Sequence, residues 1–332
     1  MRETVKGRIL SGMRPTGRLH IGHLQVLEHW AALQEEYECF YMVADWHALT
    51  TTFDETRELA QNIREMVLDW LAVGLDPKKS VLFVQSHVKE HAELHLLFSM
   101  ITPQSWLERV PTYKEQVQQF SQAGKDISTY GFLGYPLLQA ADILVYKADA
   151  VPVGEDQLPH LELCREVARR FNHLYRVKLF PEPQAKLAEV PLLPGVDGRK
   201  MSKSYGNEIT LAASPEEIKQ RVRQMITDPA RIHPTDPGHP EVCVVDLYQK
   251  IYNAEAVADQ EERCRRGQVG CVPCKNLLAE KISAALAPIR ERRQQFAARP
   301  GLVAEILAEG AARAASVAAA TLAEVRQAMG LV

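Results

Sequence analysis

No stretch of the chain approaches the ~18 uncharged apolar residues that a membrane helix needs, so no membrane association is expected. The N-terminus, Met1-Arg2-Glu3-Thr4-Val5-Lys6-Gly7, does not lead to a cleavage site of small residues. No signal peptide is therefore expected, and the location anticipated is cytoplasmic. A surplus of one charge sign is also missing: 39 Lys and Arg face 42 Asp and Glu, a net charge of −3. Composition alone thus does not announce a nucleic-acid binder, and any such contact must come from local basic surface. Cysteine is scarce, at six in 332 residues. In a cytosolic setting that argues against disulfides and for metal sites or buried thiols. There is no internal repeat.

Over the first ~200 residues, short apolar runs alternate with amphipathic segments. Arg8-Ile9-Leu10-Ser11 reads as a strand running into a turn at Pro15-Thr16-Gly17, followed by a helix from about His20. The runs 39–44 and 81–84 read as further buried strands, and 56–72 between them has helical spacing. Repeated strand–helix–strand units predict an α/β fold: a Rossmann-like, doubly wound parallel sheet covered on both faces. After about Asn207 the pattern is almost wholly helical. It is broken by a Pro/His/Gly-rich loop at 231–240 and a cysteine cluster at 264–274. Residues 302–329 are alanine-rich at helical spacing and predict a long helix. The expected division is a catalytic domain over 1–206 and a smaller all-helical domain over 207–332.

Two segments carry the chemistry. Pro15-Thr16-Gly17-Arg18-Leu19-His20-Ile21-Gly22-His23 sits at a strand–turn–helix junction, where free backbone N–H groups attract an anion. His20 and His23, three apart, can present two rings to phosphate oxygens, and Gly22 leaves room for an adenine to approach the backbone. Gly198-Arg199-Lys200-Met201-Ser202-Lys203-Ser204 places two lysines three apart on a loop, where compact ammonium groups neutralise phosphate charge. Taken alone, the first would pass as a helix start with two surface histidines and the second as a basic linker. Together, His-Ile-Gly-His and Lys-Met-Ser-Lys-Ser resemble the paired motifs of the class I aminoacyl-tRNA synthetases. That resemblance implies ATP as substrate and Mg²⁺ held largely by its phosphates. It implies His20, His23, Lys200 and Lys203 as catalytic groups, with Arg14, Thr16, Gly22, Met201 and Ser202 also at ATP.

The middle of the chain narrows the substrate. Residues 134–144, with Val151-Pro152-Val153-Gly154-Glu155-Asp156-Gln157, look like the amino-acid pocket of the tryptophan/tyrosine subgroup. Tyr135, Gln139 and Asp142 are spaced by four and three, so one helix can aim all three into one pocket. An ionised Asp142 accepts an indole N–H or a phenol O–H equally. The tyrosine enzymes carry a tyrosine where this chain has Leu10, and Leu10 would strand a phenol oxygen at a cost of ~1–3 kcal/mol. With Val151 and Val153 it suits an indole. The expected substrate is L-tryptophan, and the bacterial-type tryptophan enzymes are the nearest resemblance, with tyrosine as the runner-up. By resemblance, Gln157, Tyr135 and Gln139 hold the α-ammonium, Gly154 and Asp156 meet the ribose, and His47 lines the pocket. Two departures stand out: many such enzymes have methionine at Gln139, and the 113–131 loop differs in length. Lys114 and Lys125 are the candidates for a phosphate-contacting lysine there.

Cys243, Cys264, Cys271 and Cys274 form a C-x20-C-x6-C-x2-C pattern. Four thiolates suffice for Zn²⁺ or a cubane iron–sulfur cluster, and a single short pair favours the latter. Some members of the subgroup carry a [4Fe-4S] cluster in the anticodon-facing domain, so the resemblance implies one on these four cysteines, with Zn²⁺ as the alternative. Cys39 and Cys164 read as core residues. The resemblance further implies tRNA(Trp) as partner and a homodimer. Arg221, Arg223, Arg290, Arg292 and Arg293 are candidates for the tRNA surface. The rival readings are a nucleotidyltransferase of the same superfamily and a metal-bound RNA-binding module, neither of which needs an aromatic amino-acid pocket.

Overall fold

Strand β1 (Arg8–Met13) runs through the turn at 14–19 into helix α1 (Ile21–Leu33), as the apolar run and the following Pro-Thr-Gly predict. The computed structural model describes residues 5–122, 124–187, 193–201 and 205–331. Next come β2 (Glu38–Val43), α2 (Asp45–Thr52), α3 (Leu59–Val73), β3 (Ser80–Val84), α4 (Glu90–Ser99), α5 (Gln104–Glu108) and α6 (Pro111–Gln122). Helix α7 (Tyr130–Val145) leads into β4 (Ala150–Val153), α8 (Leu158–Tyr175) and β5 (Gln184–Leu187). The rest is helical: α9 (Pro215–Gln224), α10 (Val244–Tyr252), α11 (Val257–Arg265), α12 (Cys271–Ala297) and α13 (Leu302–Met329).

The five strands form one parallel sheet in the order β3-β2-β1-β4-β5. This is the doubly wound order, and its switch point lies between β1 and β4, where ligands bind at the carboxyl ends of strands. β1 pairs with β2 along its whole length, from Arg8↔Glu38 to Met13↔Val43, but with β4 only at Ile9↔Ala150. Pro152 has no N–H to continue that ladder, so the two strands part and a cleft opens between them.

Successive strand residues face opposite layers. Ile9, Tyr41 and Leu82 enter a core shared with α1, α3, α9, α10 and α12, while Leu10, Phe40 and Phe83 enter one shared with α4, α7, α8 and α13. The first core runs without a break past residue 206, joining Trp30 and Trp70 to Ile209, Leu278 and Ile282.

Helix α13 returns to the sheet and lies across its β3 edge. Gly310 faces the Leu82 backbone there with no room for a Cβ, which explains a glycine in mid-helix. By length and composition this helix could span a membrane, with a mean hydropathy of 1.3 in its best window, although Glu309, Arg313 and Glu324 leave it no run of ~18 uncharged residues. Its inward face, Leu307, Ala314, Ala318, Leu322 and Val325, is instead buried against the protein.

Candidate active site

A cleft of about 390 Å³ opens at the β1–β4 switch point. Among its walls are Leu10, Arg14, His47, Tyr135, Gln139 and Asp142, together with Val151, Val153, Gly154, Asp156 and Gln157. All of these were expected at substrate. Leu10 and Val151 are buried and make an apolar wall. The i, i+4, i+7 spacing on α7 does bring Tyr135, Gln139 and Asp142 to one face.

Asp142 is 1% exposed, and four hydrogen bonds converge on its carboxylate. Oδ2 lies 2.7 Å from His47 Nε2 and 3.0 Å from Gln85 Nε2. Oδ1 lies 2.6 Å from His91 Nδ1 and 2.9 Å from Gln85 Nε2. A carboxylate is acceptor-only, so both imidazoles present N–H and its lone-pair directions are filled. Burial alone would push this carboxyl up; hydrogen bonds from His47 and His91 overturn that and hold it well below the usual range. Behind it, His91 Nε2 meets the Tyr146 hydroxyl at 2.7 Å.

Gln85, His91 and Tyr146 were missed from sequence. Two signals existed: Gln85 is the first polar residue after the buried β3 run, and His91 and His95 are four apart on α4. His160 was also missed. It joins Tyr135 Oη (2.8 Å) to Gln157 Oε1 (3.2 Å), while the Gln157 amide donates to Asp156 Oδ2 at 2.8 Å. Asp156 in turn folds over Gly154, where a Cβ would come within 2.7 Å of its Oδ1.

At the turn before α1, the His20 and His23 rings sit 3.8 Å apart, with His23 Nδ1 accepting the His20 N–H at 3.2 Å. Burial and the neighbouring His23 push His20 down to about 3, and burial with nearby Lys200 pushes His23 down to about 4. Both rings are therefore neutral at pH 7. Two expectations are corrected here. The helix N-terminus is not an open row of donors, because the Ile21 N–H goes to the Ile209 carbonyl (2.9 Å) and the His23 N–H to the His20 carbonyl (2.8 Å). The space over Gly22 is held by the His20 ring, 3.0 Å from where a Cβ would stand. Thr16 lies exposed in the same loop, its N–H bonded to the Arg14 carbonyl at 2.9 Å.

Lys200 is exposed, on a segment fixed by its bridge to Pro194 and by the Asn207 amide on its carbonyl (3.1 Å). Met201 is buried beside Gly22. Ser202, Lys203 and Ser204 lie outside the described residues. Lys125 is paired with Asp54 at 2.5 Å, whereas Lys114 is exposed on α6.

The four cysteines come from the start of α10 (Cys243), from α11 (Cys264) and from the first turn of α12 (Cys271, Cys274). They are electrostatic neighbours: burial pushes the Cys274 thiol up to about 11, with the other three thiols adding to the rise. Arg231 Nη1 approaches Cys264 Sγ at 3.5 Å and Gln249 Nε2 approaches Cys274 Sγ at 3.6 Å. Among the described residues, however, no three His, Cys, Asp or Glu side chains gather closely enough for one metal ion. Neither the iron–sulfur cluster nor the Zn²⁺ alternative expected on these cysteines is therefore shown. Cys39 and Cys164 are buried core thiols, as expected. Of the arginines read as tRNA surface, Arg290 and Arg293 are partly buried and bonded to other elements, Arg221 and Arg292 bond the Gly206 and Ala72 carbonyls, and Arg223 and Arg292 are exposed.

Residues 2–287 match the family model described as tRNA synthetases class I (W and Y). The tryptophan–tRNA ligase of Thermotoga maritima is 56% identical over 331 residues, covering 98% of this chain and 99% of its own. That of Aquifex aeolicus is 47% identical, covering 98% and 100%. In three dimensions the chain is similar to the Campylobacter jejuni tryptophanyl-tRNA synthetase solved with ADP and tryptophan. The TM-score is 0.86 at 32% identity, over 97% of this chain and 99% of that one. The Archaeoglobus fulgidus tyrosyl-tRNA synthetase, at 22% identity and a TM-score of 0.64, shares the fold.

Proposed function

The chain belongs to the tryptophan and tyrosine family of class I tRNA synthetases and acts as a tryptophan–tRNA ligase, and we propose that the switch-point cleft performs both of its steps. In the first, the tryptophan carboxylate attacks the α-phosphorus of ATP; the bond to pyrophosphate breaks and tryptophanyl-adenylate forms. In the second, a hydroxyl of the terminal adenosine of tRNA(Trp) takes the aminoacyl group and AMP leaves. Neither step needs a covalent enzyme intermediate.

The observation that carries the choice of substrate is the buried Asp142 carboxylate facing an apolar wall of Leu10 and Val151. An indole offers one donor and a broad apolar body, which is what this wall accommodates. Because Asp142 is already saturated, the indole N–H takes the place of one present donor. His47, which itself lines the cleft, is the one positioned to yield, while His91 and Gln85 stay behind to hold the charge. Tyr135, Gln139 and Gln157 face the α-ammonium, and Asp156 with Gly154 faces the ribose. Arg14, Thr16, His20, His23, Lys200, Met201, Ser202 and Lys203 serve ATP, and Gly22 would join them only once the His20 ring moves off it. Of these, the two histidines and two lysines stabilise the charge that grows on the phosphates in the transition state. Mg²⁺, held mainly by phosphate oxygens, would share in neutralising it.

Residues 1–206 supply this chemistry and 207–332 face the anticodon. A [4Fe-4S] cluster on Cys243, Cys264, Cys271 and Cys274 belongs to the same proposal. In a cubane each cysteine binds a separate iron, so the sulfurs stand farther apart than around one ion. The approach of Arg231 and Gln249 to two of the sulfurs fits the hydrogen bonding that such clusters receive. When bound, the cluster would brace the helical half and take no part in aminoacyl transfer. A homodimer completes the reading.

ATP–pyrophosphate exchange against all twenty amino acids tests the function. Tryptophan-dependent exchange is expected. Tyrosine-dependent exchange would select the other branch of the family, and exchange with none would reject the cleft. Anaerobic preparation should give absorbance near ~400 nm; a colourless protein with one zinc would remove the cluster.

A further inference from the structure

Three arginines near the carboxyl end of α12 hydrogen-bond to other elements, Arg290 and Arg293 from partly buried positions. Arg290 Nη1 donates to the Ala213 carbonyl (3.3 Å) and Arg292 Nε to the Ala72 carbonyl at the end of α3 (2.6 Å). Arg293 Nε donates to Asp69 Oδ1 at 2.6 Å, and its Nη2 donates to Glu65. Glu65 and Asp69 are four apart on α3, and the side chains of Asp69, Glu65 and Arg293 are only 2%, 11% and 15% exposed. The second Asp69 oxygen, Oδ2, accepts the Leu19 N–H at 3.3 Å, and Leu19 is the residue before His20. On the other side of the same turn, the Leu19 carbonyl accepts the Leu211 N–H (3.0 Å), and the Ile21 N–H donates to Ile209 (2.9 Å). The turn that carries both histidines is thus gripped from two directions by residues beyond 206, and Arg290 joins the two grips.

A buried ion pair of this kind adds little stability over apolar residues of the same volume. What a planar guanidinium between two carboxylates does supply is orientation. We propose that Arg293 and Asp69 are positioning residues for adenylate formation. Helix α12 sets the Leu19–Ile21 turn through the chain Arg293–Asp69–Leu19, and with it the placing of the His20 and His23 rings. The inference rests on the reading of that turn as the phosphate site.

Arg293→Gln removes the guanidinium while leaving every group that touches substrate. It is expected to lower kcat/KM for ATP in pyrophosphate exchange by about 10- to 100-fold, the range that a misplaced catalytic group produces. The tryptophan Kd should stay within about twofold, since the Asp142 pocket lies outside the chain. Arg293→Lys, which keeps the charge and loses the planar contact, should recover only part of the activity. The comparison variant is Arg313→Gln, which cuts another arginine link between elements, from α13 to the Pro77 carbonyl (3.0 Å). It should lower Tm and leave ATP kinetics unchanged.

An Arg293→Gln enzyme that behaves like Arg313→Gln would overturn the proposal. So would tryptophan affinity that weakens in step with ATP, the signature of general loosening. If Arg293→Gln does not fold, Asp69→Asn and Arg293→Lys decide by the same criterion. His23→Asn separates the two levels. Unaltered exchange in that variant removes the phosphate-site reading itself, whereas a collapse there beside a normal Arg293→Gln enzyme removes only the positioning role.

Discussion

Asp142, in the switch-point cleft, and the His20–His23 turn, which is not among the residues lining that cleft, are built in opposite ways. Around Asp142 the protein supplies three donor side chains of its own, seals the carboxylate from water and keeps it ionised. At the turn, two neutral rings lean on each other, and the His20 Nδ1 atom has no hydrogen-bond partner among the described residues. In the proposed reading the amino-acid end is complete before substrate arrives, and its selectivity would come from exchanging one donor for another in a dry pocket. The turn proposed for phosphate would be completed by a polyanion, an arrangement that lets interaction strengthen as charge develops.

The sharpest way to separate the two ends is Lys200→Ala. Loss of an ammonium that acts mainly in the transition state should lower kcat of exchange by about 10²- to 10³-fold and leave tryptophan binding nearly unchanged. Equal losses in kcat and tryptophan affinity would erase the division drawn here. Asp142→Asn attacks the opposite end. It keeps the shape but removes the charge from beneath three donors, and tryptophan kcat/KM should fall by about 10- to 100-fold, with a lower Tm because a buried charge-assisted network is broken. KM for ATP should change little.

The smallest effect is on pH. His20, His23 and His160 are pushed down by burial to about 3, 4 and 4, whereas an unfolded histidine titrates near ~6.5. The unfolded chain therefore binds more protons below that pH, and stability should decline as pH falls from about 6.5 towards 4. Asp142 is shifted downward too, so it acts in the same direction but at lower pH. Its contribution stays in place until pH falls below the ordinary carboxylate range, so the histidines govern the window above that. Thermal unfolding at pH 7.5 and 5.0 checks this, and a Tm that rises on acidification would contradict it. Loading the site with ATP should weaken the trend, since phosphate favours protonated rings.

Much of the site was legible because it lies in short, regular elements. The spacing on α7 placed Tyr135, Gln139 and Asp142 together, and the strand–turn–helix pattern placed His20 at the start of α1. What escaped sequence reasoning came from elsewhere in the chain. Gln85 and His91 reach Asp142 from 57 and 51 residues away, and nothing in their local pattern names their target. Arg290, Arg292 and Arg293 read as candidates for the tRNA surface. Their bonds to other elements follow from how α12 packs, and a sequence shows only that a helix has charges, not which of them a neighbour will claim.

Chain order, apolar periodicity and turn residues determined the strands and helices, since those rest on local dihedral and burial preferences, while the segments proposed for ATP were found through their resemblance to a family. The tertiary structure decided how Asp142 is kept charged, why the cleft opens where Pro152 ends the β1–β4 ladder, and why the first turn of α1 has few free donors. Each of these depends on hydrogen bonds between segments far apart in sequence, whose geometry exists only once the sheet and its covering helices have closed.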